Sequence, residues 1–107
     1  MTDTYIKKDI VGGADPAAVI DIGSNSIRYA AGRNGKKLVI TTRLGSGLAQ
    51  TGRLDEERME KSISVISALA SNARHSGYIP FAYATSAVRD ASNKAEFINR
   101  LKQKCGI

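Results

Sequence analysis

Asp21-Ile22-Gly23-Ser24-Asn25-Ser26 is the stretch whose residue types and spacing could do chemistry. A carboxylate closes an apolar run, a glycine follows shortly, and then come three small polar residues. A carboxylate at the C-terminal end of a central strand stands where α/β sheets bind ligands. Glycine lets backbone come close to a bulky anion. Ser24, Asn25 and Ser26 add hydroxyls, an amide and successive backbone N–H groups, a concave donor set of the kind that holds phosphate. An acid beside a phosphate makes sense when a divalent cation stands between them, and magnesium is usually held through water. The competing reading is a plain polar β-turn in which Asp21 accepts a local hydrogen bond.

Ala84-Thr85-Ser86-Ala87-Val88-Arg89-Asp90-Ala91 is a second candidate, because it follows a strand pattern and opens a helical one. Amides at a helix start, together with the Arg89 guanidinium, would hold a phosphate well. Pairing of Arg89 with a surface carboxylate is the commoner fate of an arginine. Leu44-Gly45-Ser46-Gly47-Leu48 is glycine-rich. It lacks the lysine and hydroxyl of a Walker loop and the strand–helix context of a dinucleotide fingerprint. It reads as a mobile loop edging a cleft. His75 reads as a helix-end dipole partner rather than a base. Cys105 reads as a core residue. No cluster of His and Cys suggests zinc, and no serine triad can be assembled.

Regular elements must position these groups. Ala17 to Ile22 is nearly all apolar, as a strand buried on both faces would be, and Pro16 opens it. Ile27 to Gly32 reads as a second strand and Lys36 to Thr42 as a third. Asn34-Gly35 between them signals a hairpin, since a type I′ turn needs positive φ at both central residues. The three strands then form an antiparallel meander. Leu44 to Gly52 is a loop. Asp55 caps a helix with Glu56 and Glu57 in its first turn, where the dipole favours acids. Met59, Ile63, Ile66, Ala70 and Ala73 share one face of it, and Gly77 stops it. Phe81 to Thr85 is a fourth strand, preceded by Pro80. Ser86 to Ala91 is a turn or short helix. Asn93 with Glu96 fits a capping arrangement for a last helix. Phe97, Ile98, Leu101 and Cys105 form its inward stripe, Lys102 and Lys104 suit its C-terminus, and Gly106 closes it.

The order is β-β-β-α-β-α, an α/β class. A helix after a parallel strand ordinarily delivers the chain to another parallel strand. None follows Ile107, so the topology reads as truncated, with an open sheet edge that invites pairing with another copy. At 107 residues the chain is one domain at most, with residues 1–15 as a flexible tail. Its formal charge of +6 suits an anionic partner or a solvated basic surface. Basic residues are spread out and aromatics do not interleave with them, which disfavours nucleic acid. No apolar run has the length of a membrane helix, no signal peptide is visible, and a single cysteine forms no internal disulfide; the expected place is the cytoplasm.

Four segments, in order, resemble the N-terminal part of the exopolyphosphatase/guanosine pentaphosphatase (Ppx/GppA) family. They are Val19 to Arg28, Arg43-Leu44-Gly45-Ser46-Gly47-Leu48, Thr51-Gly52-Arg53-Leu54, and Ala84 to Asn93. The family belongs to the superfamily of actin, sugar kinases and the 70-kDa heat-shock chaperones. The resemblance implies a ribonuclease-H-like (actin-like ATPase) subdomain over residues 16–107. It implies that Gly23, Ser24, Asn25 and Ser26 cradle phosphate, that Asp21 helps hold magnesium through water, and that Arg89 reaches the phosphate chain. Arg28 and Arg43 match less securely as further anion contacts. The implied reaction is hydrolysis of a phosphoanhydride, releasing terminal phosphate from polyphosphate or the 5′ phosphate from guanosine pentaphosphate. Full-length members are expected to be homodimers. The family's catalytic glutamate segment has no match here, so this chain is expected to be an N-terminal fragment, inactive alone. The alternative is a non-catalytic nucleotide- or polyphosphate-binding module.

Overall fold

The computed structural model describes residues 16–107; the tail expected over residues 1–15 lies outside them. Strands β1 (Ala17–Ile22), β2 (Ser26–Ala31) and β3 (Lys37–Thr41) form the expected antiparallel meander. Helices α1 (Leu48–Thr51) and α2 (Glu56–His75) follow, then strand β4 (Ile79–Ala84) and helices α3 (Ser86–Arg89) and α4 (Lys94–Cys105). The sheet is four-stranded in the order β3-β2-β1-β4, with β4 parallel to β1. This order makes β1 central, so the carboxylate and turn that end it lie in the middle of the sheet's rim.

One face of the sheet builds the core. Ala18, Ile20 and Ile22 of β1 and Ile27, Tyr29 and Ala31 of β2 are buried beneath Met59, Ile63, Ile66, Ala70 and Ala73 of α2 and Phe97 and Leu101 of α4. Burial alternates along β1, which corrects the expectation of a strand buried on both faces. The helices cover one side, and the intervening residues Ala17, Val19 and Asp21 stay half-buried on the other. Asp55 caps α2 as expected, its Oδ2 accepting from Arg58 N at 3.0 Å. In α4 the inward stripe is narrower than expected: Phe97, Leu101 and Cys105 are buried, but Ile98 is 42% exposed. Ile98 instead lines a groove between α4 and β4.

Two further expectations are corrected. Asn34-Gly35 forms no type I′ turn, because the positive-φ residue of that connection is Gly32 (φ 67). Pairing with β1 holds β2 straight through Ala31, and Gly32 N donates to Ala17 O at 2.8 Å. The chain therefore bends at Gly32, before Asn34 is reached, and Ala31 N closes the loop on Lys36 O at 3.0 Å. Strand β4 begins at Ile79, with Pro80 inside it rather than ahead of it. Ile79 N donates to Pro16 O and Thr85 N to Ile22 O, so the odd-numbered amides of β4 face β1. Pro80 lies on the outer side, where a missing N–H costs no ladder bond.

Candidate functional site

At the rim, Ile22 pairs with Ile27, and Gly23 N donates to Ser26 O at 3.0 Å, leaving Ser24-Asn25 as the tip of the turn. The turn is tight: a Cβ on Gly23 would stand 2.8 Å from Ser26 O. The carbonyls of its two tip residues are used within the fold. Ser24 O accepts from Gly45 N at 2.7 Å, and Asn25 O accepts from Thr42 N at 3.1 Å and Arg43 N at 2.9 Å. Among the described residues, the N–H groups of Ser24 and Asn25 have no acceptor in the fold. Asn25 Nδ2 lies 3.4 Å from Ser26 Oγ, which is 3.5 Å from Thr41 Oγ1. The turn thus offers donors and hydroxyls while the carbonyl oxygens of its two tip residues are occupied, a polarity that suits an anion. Gly23 supplies close approach, since its own N–H is spent inside the turn.

Asp21 stands opposite Arg28 of β2 and Tyr83 of β4 in the ladder. It lines a recess of about 310 Å³ on the helix-free face with Arg28, Lys37 and Tyr83, and it is the one acid there. Asp21 Oδ1 is buried without a hydrogen-bond partner. Such an oxygen carries a desolvation cost that a bound cation or donor would relieve. Among the described residues no group of three or more His, Cys, Asp or Glu could cage a metal ion. A hydrated magnesium ion needs few protein ligands, and a single carboxylate with nearby phosphate fits that demand.

Thr85 N donates to Ile22 O at 3.1 Å, so the second candidate segment starts beside the first. The side chains diverge from there. Arg89, exposed, lines the groove of about 380 Å³ between β4 and α4 with Ile22, Phe97, Lys94 and Lys102. Asp21 and Arg28 share a recess; Arg89 borders another, and Tyr83 borders both. Arg43, exposed at the end of β3, holds φ 54, a left-handed conformation uncommon outside glycine.

Sequence reasoning missed two positions. The loop expected over Leu44 to Gly52 contains α1, and Gly45 packs directly on the turn: a Cβ there would meet Ser24 Cβ at 2.6 Å. The close approach explains the glycine, and the Arg-Leu-Gly run after a strand was its only sequence signal. Asn93 begins α4, but its side chain makes no capping bond. It is turned inward, accepting from Leu54 N at 2.8 Å and donating to Leu54 O at 3.0 Å. His75 sits in the last turn of α2 with Nδ1 3.4 Å from Ser71 O. Burial pushes the Cys105 thiol up, which disfavours the thiolate and so nucleophilic use.

The chain matches the Ppx/GppA phosphatase family model over residues 35–107. It is 33% identical over 98 residues to an exopolyphosphatase 1 of Mycobacterium tuberculosis, a match covering 83% of this chain and 28% of that protein. The same identity and coverage hold for an exopolyphosphatase 1 of Mycobacterium bovis. Among solved structures, a Ppx/GppA family member of Aquifex aeolicus superposes with a TM-score of 0.80 at 31% identity, covering 88% of this chain and 33% of that one. An exopolyphosphatase of Cytophaga hutchinsonii superposes with a TM-score of 0.75 at 26% identity, covering 85% and 32%. The chain therefore spans about a third or less of the length of these relatives.

Proposed function

The chain belongs to the Ppx/GppA phosphatase family, and from that premise we propose that it is the part of a phosphoanhydride hydrolase that binds the phosphate chain of the substrate. The substrate in this reading is inorganic polyphosphate or guanosine pentaphosphate, and the place of work is the cytoplasm. One observation carries the proposal: an unpartnered, buried Asp21 oxygen stands at the root of a turn whose Ser24 and Asn25 N–H groups are unspent.

Each residue then has a role that follows from its chemistry. Ser24 and Asn25 donate backbone N–H groups to phosphate oxygens, and Ser26 and the Asn25 side chain add polar contacts. Gly23 keeps the turn tight enough for that approach. Asp21 would hold magnesium through its water shell, and the ion would supply charge to offset the phosphate and polarise the bond to be broken. Arg28 shares the recess of Asp21 and offsets further charge. Arg43 and Arg89 flank the rim and suit later phosphates of a chain. Hydrolysis requires an in-line water and a carboxylate to take its proton. The recess of Asp21 contains no second carboxylate. This supports the reading that residues 16–107 bind and neutralise phosphate and that the general base comes from elsewhere in an active enzyme.

A binding module without turnover is the second reading, favoured by the same lack of a base in the recess. The test is a titration of the isotope-labelled chain with tripolyphosphate and magnesium, followed by amide NMR shifts. The expected result is movement concentrated at Ser24 and Asn25. Shifts spread over the basic surface and absent from the turn would contradict the proposal.

A further inference from the structure

Residues 42–55, between β3 and α2, are tied at one end to the proposed site and at the other to the corner between α3 and α4. At the near end Thr42 N and Arg43 N donate to Asn25 O, and Gly45 N donates to Ser24 O at 2.7 Å. Gly45 lies so close that an added Cβ would stand 2.6 Å from Ser24 Cβ and 3.2 Å from Ser24 Cα. Leu44 beside it is fully buried and fixes the contact in the core. In the middle, Leu48 N donates to Gly45 O at 3.0 Å and Gly52 N to Leu48 O at 2.7 Å. At the far end Ser92 N donates to Gly52 O at 2.8 Å. Asn93 then takes both backbone polar groups of Leu54, with Asn93 7% and Leu54 3% exposed. A hydrogen-bonded path thus runs from the Ser24-Asn25 turn to the corner between α3 and α4.

We infer that this segment is a strut that fixes the Ser24-Asn25 turn relative to the α3–α4 corner carrying Arg89, with Gly45 and Asn93 as its positioning residues. The inference rests on reading that turn as the phosphate-binding element. Neither residue need touch the anion. Gly45 sets how closely the strut seats on Ser24. Asn93 latches the other end, because an amide offers a donor and an acceptor at one reach, whereas a carboxylate offers acceptors alone. A buried group that loses one partner pays the full desolvation cost, so the latch has one favourable geometry. Donors held in place in advance bind without the cost of ordering them.

The experiment compares Asn93→Asp, Gly45→Ala and a control, Ile66→Val, which loosens the core away from the strut. Two quantities are read on the whole chain: backbone order parameters at Ser24 and Asn25 without ligand, and affinity for tripolyphosphate with magnesium. The order parameters are expected to fall from about 0.85 towards about 0.6 in both strut variants and to hold in Ile66→Val. Affinity is expected to fall about tenfold in the strut variants alone, a size usual for coupling between sites. Unchanged order at Ser24 and Asn25 in Asn93→Asp overturns the strut whatever the ligand does. Loosened order with unchanged affinity overturns its positioning role. A wild-type chain that binds no tripolyphosphate sinks the phosphate reading, while the order parameters still decide the strut. Should Asn93→Asp fail to fold, Gly45→Ala tests the strut from its other end.

Discussion

Arg43 separates backbone from charge at the scale of a single residue. Its φ of 54 sits where a Cβ crowds the following carbonyl, at a cost of about 1–2 kcal/mol that glycine escapes. Its amide is held by Asn25 O at 2.9 Å, so the strain is imposed by the contact with the turn. Strained backbone of this kind collects at functional sites, where the side chain compensates. Arg43→Gly should therefore raise chain stability by about 1 kcal/mol in a urea titration while weakening tripolyphosphate binding. A variant that loses stability would show that the arginine serves the fold, and one that binds unchanged would remove it from phosphate binding. Asp21 has the same logic with the opposite emphasis: a buried oxygen without a partner carries a cost that a bound cation or donor would offset.

At the scale of elements, what could be read in sequence was periodicity, and what could not was where side chains turn. The face of α2 built from Met59, Ile63, Ile66, Ala70 and Ala73 was legible because helical spacing fixes it. The boundary of β4 was not, because Pro80 looks like a strand breaker until the sheet order puts it on an outer edge. The bend at Gly32 was hidden because the pairing that extends β2 to Ala31 comes from β1, a partner no local turn signal registers. Asn93 looked like a cap because it precedes a helix; only the fold brings Leu54 within its reach. Of the candidate site, Asp21 and its turn were legible, whereas Gly45 was not, since a close approach leaves no pattern beyond the glycine itself.

The contact between α2 and α4 also carries a pH dependence. Arg100 of α4 bonds Glu56 and Glu60 of α2, at 2.6 and 2.7 Å, and Glu96 on its own helix. Its hydrogen bond to Glu56, helped by the attraction of opposite charges, holds that carboxyl below its ordinary value of 4.5. A carboxyl lowered in the folded state stabilises the fold above its unfolded value and loses that contribution as pH falls through the folded one. The network is exposed and screened by salt, so the effect is small. Melting curves of Arg100→Met should lie slightly below wild type at neutral pH and converge with it as pH drops below about 4.5. A gap that persists into strong acid would assign Arg100 a packing role instead.

For the whole molecule, the α/β subdomain expected from the ribonuclease-H-like resemblance is the fold the chain adopts, and solved Ppx/GppA structures superpose on it. The meander, the long helix and the parallel return strand were legible because each has its own period or cap. Their assembly gathers the ends of β1, β3 and β4 and the start of β2 at one rim, and the matching motifs all lie there or are bonded to it. Among the described residues no helix is long and apolar enough to cross a membrane. Net positive charge of +6 spreads attraction for anions over the surface, so a true site must be told apart from a general field.

Calorimetric titration of this chain with tripolyphosphate, with and without magnesium, in wild type and Asp21→Ala, makes that distinction. Saturable binding that strengthens with magnesium is expected, with a loss of about tenfold or more in Asp21→Ala, as removal of a cation-holding carboxylate should give. Binding that ignores magnesium, survives Asp21→Ala and fades only as salt is raised would contradict it.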